Sequence, residues 1–223
     1  MTPTLYLVPT PIGNLADMTY RSVAVLQEVA LILAEDTRTS GKLLKHYDIN
    51  TPMRSFHMHN EHQQVAHWTQ ELPELGTLAL ISDAGTPGLS DPGYLLAHHC
   101  LAAGHQVITL PGANAALPAL MNSGLPNHRF AFEGFLPPKK GRKTRLQALA
   151  EEPRTMIFYE SPHRLPRTLR DLAQYLGPER AASYSREISK KFEESQSGTL
   201  ASLREHFEKT PPRGEFVLCV AGL

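Results

Sequence analysis

Between the apolar run Leu78-Ala79-Leu80-Ile81 and the helix-compatible stretch from Tyr94 to Ala103 stand twelve residues that can continue neither element. Ser82 to Gly93 contain three Gly, two Pro and two Asp. Gly and Pro interrupt regular pairing and favour turns, each for its own steric reason. A four-residue apolar run of this kind has the length of a buried strand. The chain must therefore leave the carboxyl end of a buried strand through a long, stiff, polar loop. That is where open α/β sheets bind ligands. The plain alternative is an ordinary connection, but those usually need only a few residues.

Three further strand candidates in the same half end in special loops. Leu5-Tyr6-Leu7-Val8 runs into Pro9-Thr10-Pro11-Ile12-Gly13-Asn14, ahead of a helix expected over about 19–29. Leu31-Ile32-Leu33-Ala34 runs into Glu35-Asp36-Thr37-Arg38, where Thr37, Thr39 or Ser40 can cap the helix that follows. The carboxylates and Arg38 there fit either an ion-paired helix start or part of a site. Val107-Ile108-Thr109-Leu110 ends at Pro111-Gly112-Ala113-Asn114, whose small residues let backbone approach a ligand and whose Asn114 can cap a helix. Alternating strands and helices predict a three-layer α/β domain with a mostly parallel sheet. No G-x-G-x-x-G occurs, so a dinucleotide or P-loop phosphate cradle has no support.

The second half is also read as α/β. The strand Met156-Ile157-Phe158-Tyr159 ends at Glu160-Ser161-Pro162-His163-Arg164, before a helix with Leu165, Leu169, Leu172, Ala173 and Leu176 on one face. A terminal strand lies within Gly214–Val220, and the domains divide as 1–113 and 114–223. The charge divides at the same place. Residues 1–113 carry 5 basic against 10 acidic side chains, and residues 114–223 carry 17 against 12. A basic half suits a polyanionic partner, although a solvated surface has the same composition.

Composition narrows the class further. The chain has no run long enough for a transmembrane helix and no signal-peptide pattern, which predicts a cytoplasmic protein without a membrane partner. Cys100 and Cys219 sit in apolar surroundings and read as buried hydrophobes. His57, His59, His62 and Glu61 invite a zinc reading, but their spacing matches no familiar ligand set and helix-side histidines explain them as well, so no metal is expected.

Seven separated motifs carry a resemblance over nearly the whole chain. They are Leu-Val-Pro-Thr-Pro-Ile-Gly-Asn-Leu (7–15), Ala-Glu-Asp-Thr-Arg (34–38), Ser-Asp-Ala-Gly-Thr-Pro-Gly-Leu-Ser-Asp-Pro-Gly (82–93), Glu-Gly-Phe-Leu-Pro (133–137), Tyr-Glu-Ser-Pro-His-Arg (159–164), Arg-Glu-Ile-Ser-Lys-Lys-Phe-Glu (186–193) and Gly-Glu-Phe-Val-Leu (214–218). In this order they resemble the ribosomal RNA small-subunit methyltransferase I family of the tetrapyrrole-methylase superfamily. The resemblance implies a homodimer of two α/β domains with S-adenosylmethionine in the cleft between them. It also implies 2′-O-methylation of a cytidine ribose in the 16S RNA of the small ribosomal subunit. Many members continue into a C-terminal helical extension, where this sequence ends at Ala221-Gly222-Leu223. Relatives often carry Ser at the position of Asn114, which keeps a capping side chain.

Methyl transfer from a sulfonium is an in-line displacement, so alignment is the protein's main task. The donor needs backbone N–H groups for its carboxylate and acceptors for its amine and ribose. That assigns it to the loops 82–93 and 111–116, with Ser82, Asp83, Ala84, Gly85, Thr86, Pro87, Ser90, Pro111, Gly112, Ala113 and Asn114 as candidates; the resemblance adds Pro9, Thr10, Pro11, Tyr159 and Glu160 as donor candidates. A ribose hydroxyl is a poor nucleophile, and a positioned base would help it. Asp36, Asp83 and Glu160 are candidates, with His163 as a neutral alternative. Lys139, Lys140, Arg142, Lys143, Arg164, Arg186, Lys190 and Lys191 are candidates for RNA phosphates. Competing readings are a non-catalytic RNA-binding assembly module and a methylase of a tetrapyrrole or protein acceptor.

Overall fold

The computed structural model describes residues 2–223. They form two compact units, one ending at Asn114 and one running from Ala115 to Leu223. The first contains β1 (Thr4–Leu7), a 3-10 turn (Leu15–Asp17), α1 (Tyr20–Glu28), β2 (Leu31–Ala34), α2 (Thr37–His46), β3 (Met53–Ser55), α3 (Glu61–Leu75), β4 (Thr77–Ile81), α4 (Tyr94–Ala102) and β5 (Gln106–Thr109). Its five strands pair in the order β3-β2-β4-β1-β5, all parallel.

Alternation along the central strands divides the core of this unit. Leu78 and Leu80 of β4, with Leu31 and Leu33 of β2, face the side carrying Val65, Leu72, Leu96 and Cys100 of α3 and α4. Ala79 and Ile81, with Ile32 and Ala34, face Leu26 and Leu44 of α1 and α2. Strands buried on both faces read as continuous apolar runs, which is why these two were visible in the sequence. Because all five strands point one way, the loops after β1, β2, β4 and β5 leave the same end of the sheet.

The second unit contains α5 (Ala116–Ser123), β6 (Phe130–Phe135), α6 (Arg142–Leu149), β7 (Thr155–Glu160), α7 (Leu165–Leu176), β8 (Ala181–Arg186), β9 (Glu194–Thr199), α8 (Leu200–Lys209) and β10 (Phe216–Val220). Its sheet has the order β6-β7-β10-β8-β9, with only β6 and β7 parallel. Phe216, Leu218 and Val220 face a core built with α6, α7 and α8, while α5 covers the opposite face against β7, β8, β9 and β10. Cys100 and Cys219 are both buried and unpaired. Burial pushes the Cys219 thiol up to about 12, so it behaves as a small hydrophobe.

One helix start differs from the sequence reading. The cap of α2 is Asp36, whose carboxylate accepts the Arg38 N–H, rather than Thr37, Thr39 or Ser40. The α5 helix begins after Ala115, whose own side chain offers no cap. Asp serves as well as Ser or Thr at a cap, because all offer an oxygen to the exposed N–H groups of the first turn.

Candidate functional site

Three loops at the strand ends of the first unit are joined into one lip. Thr10, just past β1, and Gly85, just past β4, form an antiparallel bridge with reciprocal N–H to O bonds of 2.9 Å. The buried Thr10 hydroxyl also donates to the Ser82 carbonyl at 2.9 Å. Thr86 Oγ1 donates to the Ala113 carbonyl at 3.2 Å, tying the loop after β4 to the loop after β5. Gly112 lies so close to Pro9 that an added Cβ would stand 2.7 Å from the Pro9 Cβ. The first three groups assigned to the donor, 9–11, 82–90 and 111–114, therefore converge at one edge.

Within the 82–93 loop, Gly85 and Gly88 both take φ of 83° and Gly93 takes 133°. Ser90 takes φ of 67°, a left-handed conformation that is uncommon outside glycine. Strained backbone of this kind persists only where the surroundings hold it, and it clusters at functional sites.

Beside the lip, at the ends of β2 and β4, carboxylates crowd together. The Asp36 N–H donates to Asp83 Oδ1 at 3.1 Å, and the Asp83 N–H lies 3.4 Å from Glu35 Oε2. Burial and the neighbouring Asp83 push the Glu35 carboxyl up, although the Asp83 N–H opposes the shift. Burial also raises Asp83, with the charge of Asp36 adding to it. Asp91 is raised furthest, to about 7, chiefly by burial and then by the charge of Glu35. Asp36 goes the other way, to about 2, because the Arg38 guanidinium donates to its carboxylate.

These shifts redistribute the base candidates. A general base works best with a pKa near the operating pH, and Asp36 is far below it and occupied by Arg38. Glu160 is buried, with Oε2 accepting from Thr168 Oγ1 at 2.6 Å and Oε1 from the Ser161 N–H at 2.9 Å. That carboxylate ties the end of β7 to the first turn of α7. Asp83 stays in the acidic group, and His163 is exposed in the turn before α7. Tyr159 is half-buried, edge-on to Phe132 and Phe135. Asp91 was not among the residues singled out, although it is the second aspartate of the conspicuous loop.

The zinc reading also meets the geometry. The His57 and His59 rings lie 5.9 Å apart and edge-on. Glu61 accepts the Gly93 N–H at 2.9 Å. Among the described residues, no group of three or more His, Cys, Asp or Glu is arranged to hold a metal ion. No helix among them is long and apolar enough to cross a membrane.

In the second unit, β6, β7 and β8 all run the same way, since β10 is antiparallel to both β7 and β8. The turns holding 136–141, 161–164 and 187–193 therefore leave one end of that sheet and bring most of the basic candidates to it. Their roles there differ. Arg142 is buried, donating to Asp171 Oδ2 at 2.7 Å and to Thr168 Oγ1 at 2.9 Å, so its reading as a phosphate contact is corrected. Arg164 donates to the Leu136 carbonyl and pairs with Glu160. Arg186 pairs with Glu194 at 3.0 Å, and Lys190 is held between Glu187 and Glu215. Lys139, Lys140 and Lys143 are exposed, as is Lys191, whose ammonium lies 5.5 Å from the Phe192 ring centre.

A parallel α/β sheet with a glycine- and proline-rich lip at its carboxyl end, followed by a mixed α/β unit, defines a class. Residues 4–204 match the family model of the Tetrapyrrole (Corrin/Porphyrin) Methylases, and the chain belongs to that family. Its curated relatives narrow the placement to proteins called ribosomal RNA small subunit methyltransferase I. The one from Synechocystis sp. is 51% identical over 98% of this chain and 78% of its own length. The one from Pseudomonas aeruginosa is 49% identical over 98% of this chain and 79% of its own. Among solved structures, diphthine synthase superposes with a TM-score of 0.73 over 98% of this chain and 90% of that one, at 10% identity. At that identity the likeness concerns the fold alone.

Proposed function

We propose that this chain transfers a methyl group from S-adenosylmethionine to a cytidine ribose 2′-hydroxyl of small-subunit ribosomal RNA. The observation that carries the reading is near-full-length identity of about half to relatives named for that RNA. The bonded lip of 9–11, 82–90 and 111–114 agrees with it. The donor supplies an activated methyl on a sulfonium. The protein's share is to fix it through backbone groups of the lip and to surround its positive charge with Glu35, Asp83 and Asp91. Negative side chains facing a site attract a cation and concentrate it there. Asp83 and Asp91 are the carboxyls placed to receive a proton, with His163 retained as a neutral alternative.

RNA docking is assigned to Lys139, Lys140, Lys143 and Lys191, the exposed part of the basic end of the second sheet. Phosphate contacts of this type position a substrate without reading its sequence. A homodimer and a cytoplasmic location complete the proposal. The test is transfer of labelled methyl to small ribosomal subunits, with the modified nucleoside identified by mass spectrometry. Label on protein or on a tetrapyrrole in place of RNA would overturn the acceptor. Donor-independent RNA binding with no transfer would favour an assembly module.

A further inference from the structure

We infer that Glu61, a residue outside the lip, is a positioning residue that holds the 82–93 loop in its donor-competent form; the inference rests on the donor reading above. The loop is tied along its length. Its start is bonded to Thr10 through Gly85, and its middle to Ala113 through Thr86. Its end is tied by Glu61 Oε1, which accepts the Gly93 N–H at 2.9 Å across 32 residues of chain in a buried setting. Glu61 itself is only 7% exposed.

Gly93 is where the loop has least freedom to move. Its φ is 133°, and a Cβ there would stand 2.6 Å from Leu80 Cδ2 and 3.2 Å from the Gly88 nitrogen. The Gly88 N–H donates to the Pro92 carbonyl at 3.1 Å, so the loop folds back on itself at this point. Gly93 also begins α4 without a side-chain cap of its own. The carboxylate of Glu61 accepts the N–H of this N-cap residue, and a negative charge there favours a helix start.

Glu61 is held in turn by the sheet. Phe56, fully buried, donates its N–H to the Ala34 carbonyl at 2.8 Å. The His57 N–H is bonded to Asn60 Oδ1 at 2.7 Å, and the His57 carbonyl accepts the Glu61 N–H at 2.9 Å. The His57–Glu61 segment, suggestive of a metal in sequence, thus forms a bracket between the end of β2 and the end of the loop. Without the acceptor, a buried N–H is left unsatisfied and the closed loop becomes one state among several. Apparent donor affinity then falls by the fraction of molecules still competent.

Glu61→Ala, Glu61→Asp and Glu61→Gln separate this role from simple stability. Ala removes the acceptor, Asp shortens its reach by one carbon, and Gln keeps an oxygen in place. The expected result is S-adenosylmethionine binding weakened roughly ten- to hundredfold by Ala and Asp, the range for losing a hydrogen bond to a charged group. Gln should stay within about threefold of wild type. In turnover the loss should appear in KM for the donor, with kcat at saturating donor retained. Calorimetric titration well below each variant's melting point makes the comparison, and Asp decides if Ala does not fold. Folded Ala or Asp variants that bind as wild type would overturn the inference and leave the donor reading standing. Gln binding as poorly as Ala would overturn it too, because charge and not the acceptor would then matter. A wild-type chain that binds no donor overturns both.

Discussion

Gly112→Ala tests the lip with a single carbon. The backbone of Gly112 is not in the left-handed region, so the effect is purely steric. The new Cβ would stand 2.7 Å from Pro9 Cβ and 3.0 Å from Pro9 Cγ, both in a rigid ring. Carbon atoms rest about 3.5 Å apart or more, so about 0.8 Å must be found. If Pro9 gives way, Thr10 moves with it and its 2.9 Å bonds to Gly85 and Ser82 stretch beyond hydrogen-bond range. If the 111–114 loop gives way, the 3.2 Å bond from Thr86 to Ala113 is lost. Overpacking of this kind costs about 1–3 kcal/mol, which lowers the melting point of the first unit by on the order of 5–10 °C. S-adenosylmethionine affinity should fall at least about tenfold, since any escape route breaks a link of the lip. Scanning calorimetry and isothermal titration measure the two effects. A variant with unchanged melting point and unchanged donor affinity would refute the claim that these loops form one fitted edge.

Asp91, raised to about 7, gives pH dependences of opposite sign for stability and binding. Its contribution to stability is complete below the unfolded value of 3.8 and is lost as pH rises through about 7. Affinity for the cationic donor should instead increase over that range as the acidic group ionises, and Asp91→Asn should flatten both curves. Arg142→Ala should destabilise the second unit by about 1–3 kcal/mol, because it removes the buried guanidinium's hydrogen bonds to Asp171 and Thr168; a melting point equal to wild type would contradict this. Replacing Lys139, Lys140 and Lys143 by Ala should reduce the log–log salt slope of RNA binding by about 2, at about 0.7 per phosphate contact on single strands. An unchanged slope would remove this turn from the RNA surface.

The first unit was the more legible half because its chemistry is local. Strands β2 and β4 are buried on both faces and read as unbroken apolar runs, and their loops announce themselves through Gly and Pro. The β8–β9 hairpin was not assigned because neither strand shows an apolar alternation. Its inward positions include Ser183 and Ser185, and the Ser185 hydroxyl bonds that of Ser195 at 2.8 Å. Arg142 was misread because it follows Lys-Lys-Gly, yet it shares a helix face with Leu146 and Leu149, a spacing the sequence displays. The raised pKa of Asp91 and the bond from Glu61 to Gly93 were not legible, since both depend on segments brought together from tens of residues away.

The central claim is that this chain methylates a ribose of small-subunit RNA with S-adenosylmethionine as donor. Purified protein incubated with methyl-labelled donor and small ribosomal subunits lacking the modification tests it directly. Nuclease digestion followed by mass spectrometry should place the label on 2′-O-methylcytidine at one site. Label on a base or on protein, or no transfer by folded enzyme that binds the donor, would contradict it.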